Sequence, residues 1–163
     1  MRRATIILAL AIALCTVPSA GAAKRAPDVW ATVNACDTKM RPNQIGIRGG
    51  MSGLARYTRM YMRFRVQYQN AEGEWKTHKS SDLTDSRWVR VAAGRRGEHD
   101  YGWTFEFKPP TRGGAHILRG LVLFEWRRAG RVVRDDRAIT EDGHPGTAGA
   151  DPADFSARTC AIA

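Results

Sequence analysis

Residues 59–75 have the sequence RMYMRFRVQYQNAEGEW, which gives the clearest indication of secondary structure in the chain. Apolar side chains stand at every second position of its first part, namely Met60, Met62, Phe64, Val66 and Tyr68. Successive side chains of a strand point to opposite faces, so this alternation predicts a strand over Arg56–Gln69 with one buried and one solvated face. The turn-forming run Asn70–Gly73 and a returning segment, Trp75–Thr77, then predict a β-hairpin.

Further short segments rich in β-branched and aromatic residues lie on both sides of this hairpin, each bounded by turn-forming residues. The predicted strands are Val29–Val33 (ending near Cys36), Gln44–Arg48, Trp88–Val91, Tyr101–Phe107, Ile117–Arg128, Arg131–Thr140 and a short terminal strand over Phe155–Cys160. Gly49, Gly50 and Gly53 are expected to loosen the chain after the second of these strands. In the glycine-rich loop before the last strand, Asp151–Pro152 is expected to cap one helical turn.

The spacing of these segments predicts the class of fold. Seven or eight short strands and no amphipathic helix are typical of an all-β protein, an antiparallel β-sandwich of immunoglobulin-like or fibronectin type III-like build. A closed barrel is the alternative. Trp88 and Trp126 are both candidates for the tryptophan that such a sandwich buries in its core.

The composition limits the class of protein further. The 163 residues suffice for one domain, and a hydrophobic share of 43% is enough to fold a core, which excludes a wholly disordered basic chain. The 26 Lys and Arg against 16 Asp and Glu give a formal charge of +10, which favours anionic partners. The same hydrophobic share excludes a polytopic membrane protein.

Residues 1–22 have the pattern of a secretory signal peptide. Two arginines precede the apolar run Thr5–Val17, and Ala20–Ala22 supplies small residues before the expected cleavage site. A transmembrane helix would need about 20 apolar residues, which is more than this run contains. An uncleaved anchor and lipidation at Cys15 are the alternatives. We predict an exported chain with no membrane span in its mature form, in which residues 23–163 form one domain.

Cleavage of the signal peptide would leave two cysteines, Cys36 and Cys160. Two cysteines in an exported chain have one possible pairing, so they predict a disulfide that ties the first strand to the last. Neither cysteine has a second Cys or His at ligand spacing, so a metal site is not predicted there. A free catalytic thiol is not expected to persist in an oxidising compartment.

The polar face of the 56–69 strand carries the candidate binding residues. If the 117–128 strand or its hairpin partner lies alongside, the candidate surface consists of Arg59, Tyr61, Arg63, Arg65, Arg119, Arg127 and Arg131. Such a cationic, aromatic-bearing face suits polyanions such as nucleic acid, teichoic acids or anionic lipid headgroups. The alternative is a solvated face on which the arginines interleave with Glu106, Glu125, Asp135 and Asp136.

Sites for catalysis or metal binding are not predicted. The cluster Gly49–Gly53 lacks the G-x-S-x-G spacing of a nucleophile elbow. The four histidines are His78, His99, His116 and His144. His99 and Asp100 are neighbours on a strand and point to opposite faces, so they do not form a catalytic dyad by themselves. The acidic residues of the 141–154 loop, Glu141, Asp142, Asp151 and Asp154, lack the calcium-loop pattern and are expected to be solvated. We therefore predict no catalytic residues, no metal and no cofactor.

Three stretches resemble small secreted immunoglobulin-like proteins of actinobacteria. They are residues 59–75, quoted above, residues 121–134, LVLFEWRRAGRVVR, and residues 143–162, GHPGTAGADPADFSARTCAI. The resemblance covers most of the chain after residue 22. It implies one strand-rich domain with terminal cysteines outside the cell, and it implies no catalytic residues.

These observations together predict a secreted, non-enzymatic module that binds or adheres at the cell envelope or outside it. The expected partners are anionic cell-envelope polymers or an extracellular protein, without specific binding of nucleic acid. A small secreted hydrolase that uses His99 or His116 with a carboxylate is one alternative. A structural accessory domain that binds only a protein partner, through an edge strand, is the other.

Overall fold

The structure, a computed structural model, describes residues 29–77, 83–111 and 113–163. All regular secondary structure in these ranges is β-strand, which confirms the all-β class. The strands are β1 (Val29–Cys36), β2 (Gln44–Ser52), β3 (Thr58–Gln69), β4 (Trp75–Thr77), β5 (Val89–Gly94), β6 (Glu98–Glu106), β7 (His116–Arg128), β8 (Arg131–Ile139) and β9 (Cys160–Ile162). They number nine rather than seven or eight, and β4 and β9 have only three residues each. The predicted signal peptide lies outside the described residues.

The strands form the two sheets of a sandwich. One sheet has the order β1-β2-β6, and the other has the order β4-β3-β7-β8, with β5 also paired to β3 and β9 also paired to β7. All pairs of strands are antiparallel. Buried residues of β1 and β2 share one core with those of β3 and β7, so the two sheets face each other. Immunoglobulin-like sandwiches separate strands A, B and E from strands C, F and G in the same order. The sheets are separate, so the closed barrel is not formed.

The alternation in β3 has the predicted consequence. Met60, Met62, Phe64 and Val66 are buried between the sheets, and β7 lies beside β3 with Phe64 opposite Val122. Trp126 on β7 is fully buried, and its indole N–H donates to the Ser52 carbonyl at 2.8 Å. Trp126 is therefore the core tryptophan, whereas Trp88 lies on the outer face near Arg127. In the described part of the chain, no helix is long and apolar enough to span a bilayer.

Gly49 and Gly50 lie inside β2, where the sequence predicted a loosened chain after the strand. The strand continues past its predicted end at Arg48 to Ser52. A Cβ atom on Gly49 would lie 3.1 Å from a Val122 methyl group, and one on Gly50 would lie 2.2 Å from the Trp30 indole. The prediction of a loosened chain was wrong because these glycines permit close packing across and within the sheets.

The predicted disulfide is present and joins the two sheets. Cys36 at the end of β1 is bonded to Cys160 at the start of β9, with a Cα–Cα distance of 5.3 Å. Cys160 is 1% exposed, so this end of the bridge belongs to the core.

The segment between β8 and β9 covers the outer edge of β1. Val33 and Ala157 exchange backbone hydrogen bonds, and the Asp151 N–H donates to the Asn34 carbonyl. The expectation of a helical turn at Asp151–Pro152 was wrong: the Asp151 N–H bonds to β1, and the Pro152 carbonyl accepts from the Phe155 N–H, which closes a single β-turn. The terminal strand expected from Phe155 begins only at Cys160, because Ala157 bonds to β1 instead. Covering this edge protects β1 from pairing with other chains.

Candidate functional site

The predicted cationic face lies on the outside of the larger sheet. The alternation in β3 places Arg59, Tyr61, Arg63 and Arg65 opposite the buried face. β7 brings Arg127 opposite Arg59, and Arg119 opposite Gln67. Arg131 is the first residue of β8 and is exposed. The candidate residues of β3 and β7 therefore share the outer side of the sheet, although their environments differ. Arg131 pairs with Arg128 and so lies on the side of the sheet opposite to Arg127.

Asp85 pairs with two arginines, Arg63 and Arg65, in the middle of this face. Arg63 forms two hydrogen bonds with its carboxylate, Nε to Oδ1 at 2.7 Å and Nη2 to Oδ2 at 2.5 Å. Arg65 Nε donates to Oδ2 at 3.0 Å, and the Arg87 N–H donates to Oδ1 at 2.9 Å. Burial alone would raise the pKa of the Asp85 carboxyl, but the hydrogen bonds from Arg63, Arg87 and Arg65 outweigh it and hold that pKa below its usual value.

Asp85→Asn is expected to lower the free energy of unfolding by about 1–3 kcal/mol at about pH 7, because two arginines lose their shared carboxylate. A carboxyl with a lowered folded-state pKa stabilises the fold above its unfolded-state pKa, and this contribution disappears as the pH falls through the folded-state value. The variant should therefore lose less stability than the wild type between about pH 7 and about pH 2. Urea unfolding at both pH values measures the effect.

The control for this experiment is Asp100→Asn, which removes the partner of Arg48 at a carboxylate that is 45% exposed. Its loss should be smaller because solvent screens the pair. An Asp85→Asn variant with the same stability and acid dependence as the wild type would contradict the structural role of Asp85.

Two arginines of β7, Arg119 and Arg127, stack on aromatic rings. The Arg119 guanidinium lies 4.2 Å from the centre of the Trp75 ring and donates to Gln67 Oε1 at 2.8 Å. Burial lowers the pKa of Arg119. Arg127 lies 4.3 Å from the Tyr61 ring, and its Nη2 is 2.5 Å from a Glu125 carboxylate oxygen. The middle of the face therefore consists of cations already held by rings and carboxylates.

A second cationic surface lies at one end of the sandwich, where the connections 53–57, 95–97 and 129–130 meet. The Gly53 N–H donates to the Gly97 carbonyl, and the Arg96 N–H donates to the Leu54 carbonyl, each at 2.8 Å. A cleft of about 350 Å³ is lined jointly by the first connection and by residues beside the third, including Arg128 and Val133. The fold thus assembles one surface from three separate parts of the sequence.

We call this surface the cationic end. It comprises the three connections and their arginines, which are Arg56, Arg59, Arg95, Arg96, Arg128 and Arg131. All six are exposed, and none forms an ion pair with another residue that the structure describes. In the segments 53–59, 94–98 and 128–131 the only acidic residue is Glu98, so these segments carry +5, half of the formal charge of the whole chain.

The opposite end of the sandwich has a different character. At this end the connections 37–43 and 70–74 and the nearby Asp151, which accepts from Thr38, carry four acidic residues, Asp37, Glu72, Glu74 and Asp151. Three basic residues of the described chain, Lys39, Arg41 and Lys108, accompany them, so the charges nearly balance. The chain is therefore electrostatically asymmetric along the strands, with its excess positive charge at the cationic end.

The histidines of the alternative hydrolase are not arranged as an acid–base pair. His99 is half-buried on β6 and His116 is exposed at the start of β7. Neither forms a hydrogen bond or ion pair with a carboxylate in the part of the chain that the structure describes. His144 stacks on Trp30 with a centroid distance of 4.5 Å, and His78 lies outside the described residues. Within the described ranges, no group of three His, Cys, Asp or Glu could hold a metal ion.

Comparison with known proteins identifies no functional residue. No protein-family model matches the chain, and no curated protein matches its sequence. The functional assignment therefore rests on the residues of this chain.

Sequence patterns alone missed four members of the cationic end, namely Arg56, Arg95, Arg96 and Arg128. Each lies in or beside a glycine-containing connection, so the only indication in the sequence is a turn that contains basic residues. That signal recurs at three places far apart in sequence, and only the pairing of the strands shows that these three turns share one end.

Proposed function

We propose that the protein is a secreted, non-enzymatic β-sandwich module that binds anionic polymers of the cell envelope or its surroundings through the cationic end. The observation that carries the proposal is the convergence of six exposed arginines and one glutamate on three neighbouring connections. Arg59 and Arg131, two members of the predicted cationic face, belong to this end.

The electrostatics of the cationic end suit a polymer better than a single small anion. Charges in solution act over about 8–10 Å at physiological ionic strength, so neighbouring arginines reinforce one another toward an anion that lies across several of them. Guanidinium groups also match phosphate and carboxylate oxygens in bidentate geometry. The hydrogen bonds at Gly53 and Arg96 hold two of the connections together, which limits the entropy lost on binding.

The chemistry of the rest of the chain supports an extracellular location. The pattern of residues 1–22 is that of an export signal. The Cys36–Cys160 disulfide is of the kind that persists in oxidising compartments. The middle of the sheet face contributes less, because Asp85 and Glu125 hold its arginines.

Binding to inorganic polyphosphate, a linear polyanion of simple chemistry, tests this function. Counterion release predicts an affinity that falls at least about 100-fold between about 50 and 200 mM salt if most of the six arginines contact the polymer. Isothermal titration at several salt concentrations measures this dependence. Absence of binding at the lowest salt, or binding that does not respond to salt, would contradict the proposal.

A further inference from the structure

The cationic end also exposes large apolar side chains. Tyr57, in the first connection, is 54% exposed, and Val132 and Val133 near the start of β8 are 47% and 42% exposed. The register of β8 against β7 steps from Arg134 to Val132, so Val133 lies in a β-bulge. Exposed aromatic and aliphatic groups beside unpaired arginines make this end amphipathic rather than simply charged.

Charged and apolar groups are combined most closely in the cleft of about 350 Å³ between the first and third connections. Leu54, Ala55 and Val133 supply apolar lining, and Arg56 and Arg128 supply guanidinium groups. A phosphate polymer in water would satisfy the arginines and leave the apolar groups solvated. The boundary between the headgroups and acyl chains of an anionic bilayer satisfies both.

We propose that the cationic end docks onto a membrane surface rich in anionic phospholipid. The arginines lie among the phosphate headgroups, and their aliphatic stems extend along the apolar boundary. Tyr57 places its ring at the level of the headgroups, where tyrosine is enriched in membrane proteins, and Val133 contacts the acyl boundary beside it. This inference rests on the proposed function, because the same arginines supply the attraction.

Vesicle binding by the exported chain tests the inference. Vesicles of phosphatidylglycerol and phosphatidylcholine in equal parts should bind the protein in a sedimentation assay, and vesicles of phosphatidylcholine alone should not. The variant Tyr57→Ser/Val133→Ser retains every arginine and should bind the anionic vesicles about tenfold more weakly, because it loses two partly buried apolar contacts. Its binding to polyphosphate should be unchanged.

The matched control is Ile139→Ser, which removes an apolar side chain of similar exposure, 42%, at the end of β8 far from the cationic end. It should bind both targets like the wild type. All three substituted side chains are more than one-third exposed, so the variants should unfold at the same temperature as the wild type, which circular dichroism checks.

The outcomes separate the inference from the proposed function. Equal vesicle binding by the Tyr57→Ser/Val133→Ser variant and the wild type, or equal binding of the wild type to charged and neutral vesicles, would overturn membrane docking alone. Polyphosphate binding without vesicle binding would also overturn docking and leave the proposed function standing. Failure of the wild type to bind either target would overturn both.

Discussion

Replacing both bridged cysteines, in the variant Cys36→Ser/Cys160→Ser, is expected to lower the free energy of unfolding by about 4–5 kcal/mol. The bond closes a loop with a sequence separation of 124, so its loss returns a large amount of conformational entropy to the unfolded chain. It also releases β9 from β1, and these strands belong to different sheets. The loss is a large share of the stability of a protein of this size.

Urea unfolding followed by tryptophan fluorescence measures this loss, since Trp126 is fully buried in the folded state. The matched control is the wild type unfolded under reducing conditions, which breaks the bond and keeps both side chains nearly unchanged. The reduced wild type and the serine variant should agree if chain entropy accounts for the effect. A loss below about 1 kcal/mol in both would contradict a structural role for the bridge.

The fold could be predicted from sequence where the local pattern and the tertiary environment agree. The alternating residues of β3 and β7 bury one face because the β1-β2-β6 sheet packs on that face of their sheet. The disulfide could be predicted because Cys15 falls in the predicted signal peptide, which leaves two cysteines and a single pairing. These inferences need only the period of a strand, the signal-peptide pattern and the remaining cysteines.

The details that failed depend on contacts between distant segments. Asp151–Pro152 has a helix-start pattern, but the Asp151 N–H bonds to Asn34 of β1, more than a hundred residues away along the chain. Asp85 lies in a polar loop with no local pattern, yet the fold places it between Arg63 and Arg65. The local sequence does not indicate these contacts, because they form only when a loop folds back onto a distant strand, β1 for Asp151 and β3 for Asp85.

The cationic end illustrates the same limit for function. The alternation of β3 predicts a cationic strand face. Arg59, Tyr61, Arg63 and Arg65 do lie on one side of the sheet, as this alternation requires. The charge balance of that face depends on Glu125, which was among the carboxylates expected to interleave with the arginines, and on Asp85, which the alternation does not indicate. The larger concentration of unpaired arginines comes from three turns whose proximity follows from the order of the strands.

The variant Arg95→Glu/Arg96→Glu reverses two charges at the cationic end and is expected to weaken binding to polyphosphate at least about tenfold. The slope of log affinity against log salt concentration should also fall by the share of about two phosphate contacts. These arginines form the turn between β5 and β6 and are exposed, so the variant should keep its fold. Each substitution removes a cation and adds an anion where the polymer would lie. The effect should therefore exceed the loss of two contacts alone.

The matched control is Lys108→Glu/Arg158→Glu, which makes the same change in net charge at exposed positions away from the cationic end. The most direct test of the functional proposal is the comparison of these two variants in one assay, the affinity for polyphosphate as a function of salt. We expect the Arg95→Glu/Arg96→Glu variant to show the large loss and the shallower salt dependence, and the control to bind nearly as the wild type does. Equal weakening of the two variants, or unchanged binding by the Arg95→Glu/Arg96→Glu variant, would contradict the cationic end as the binding site.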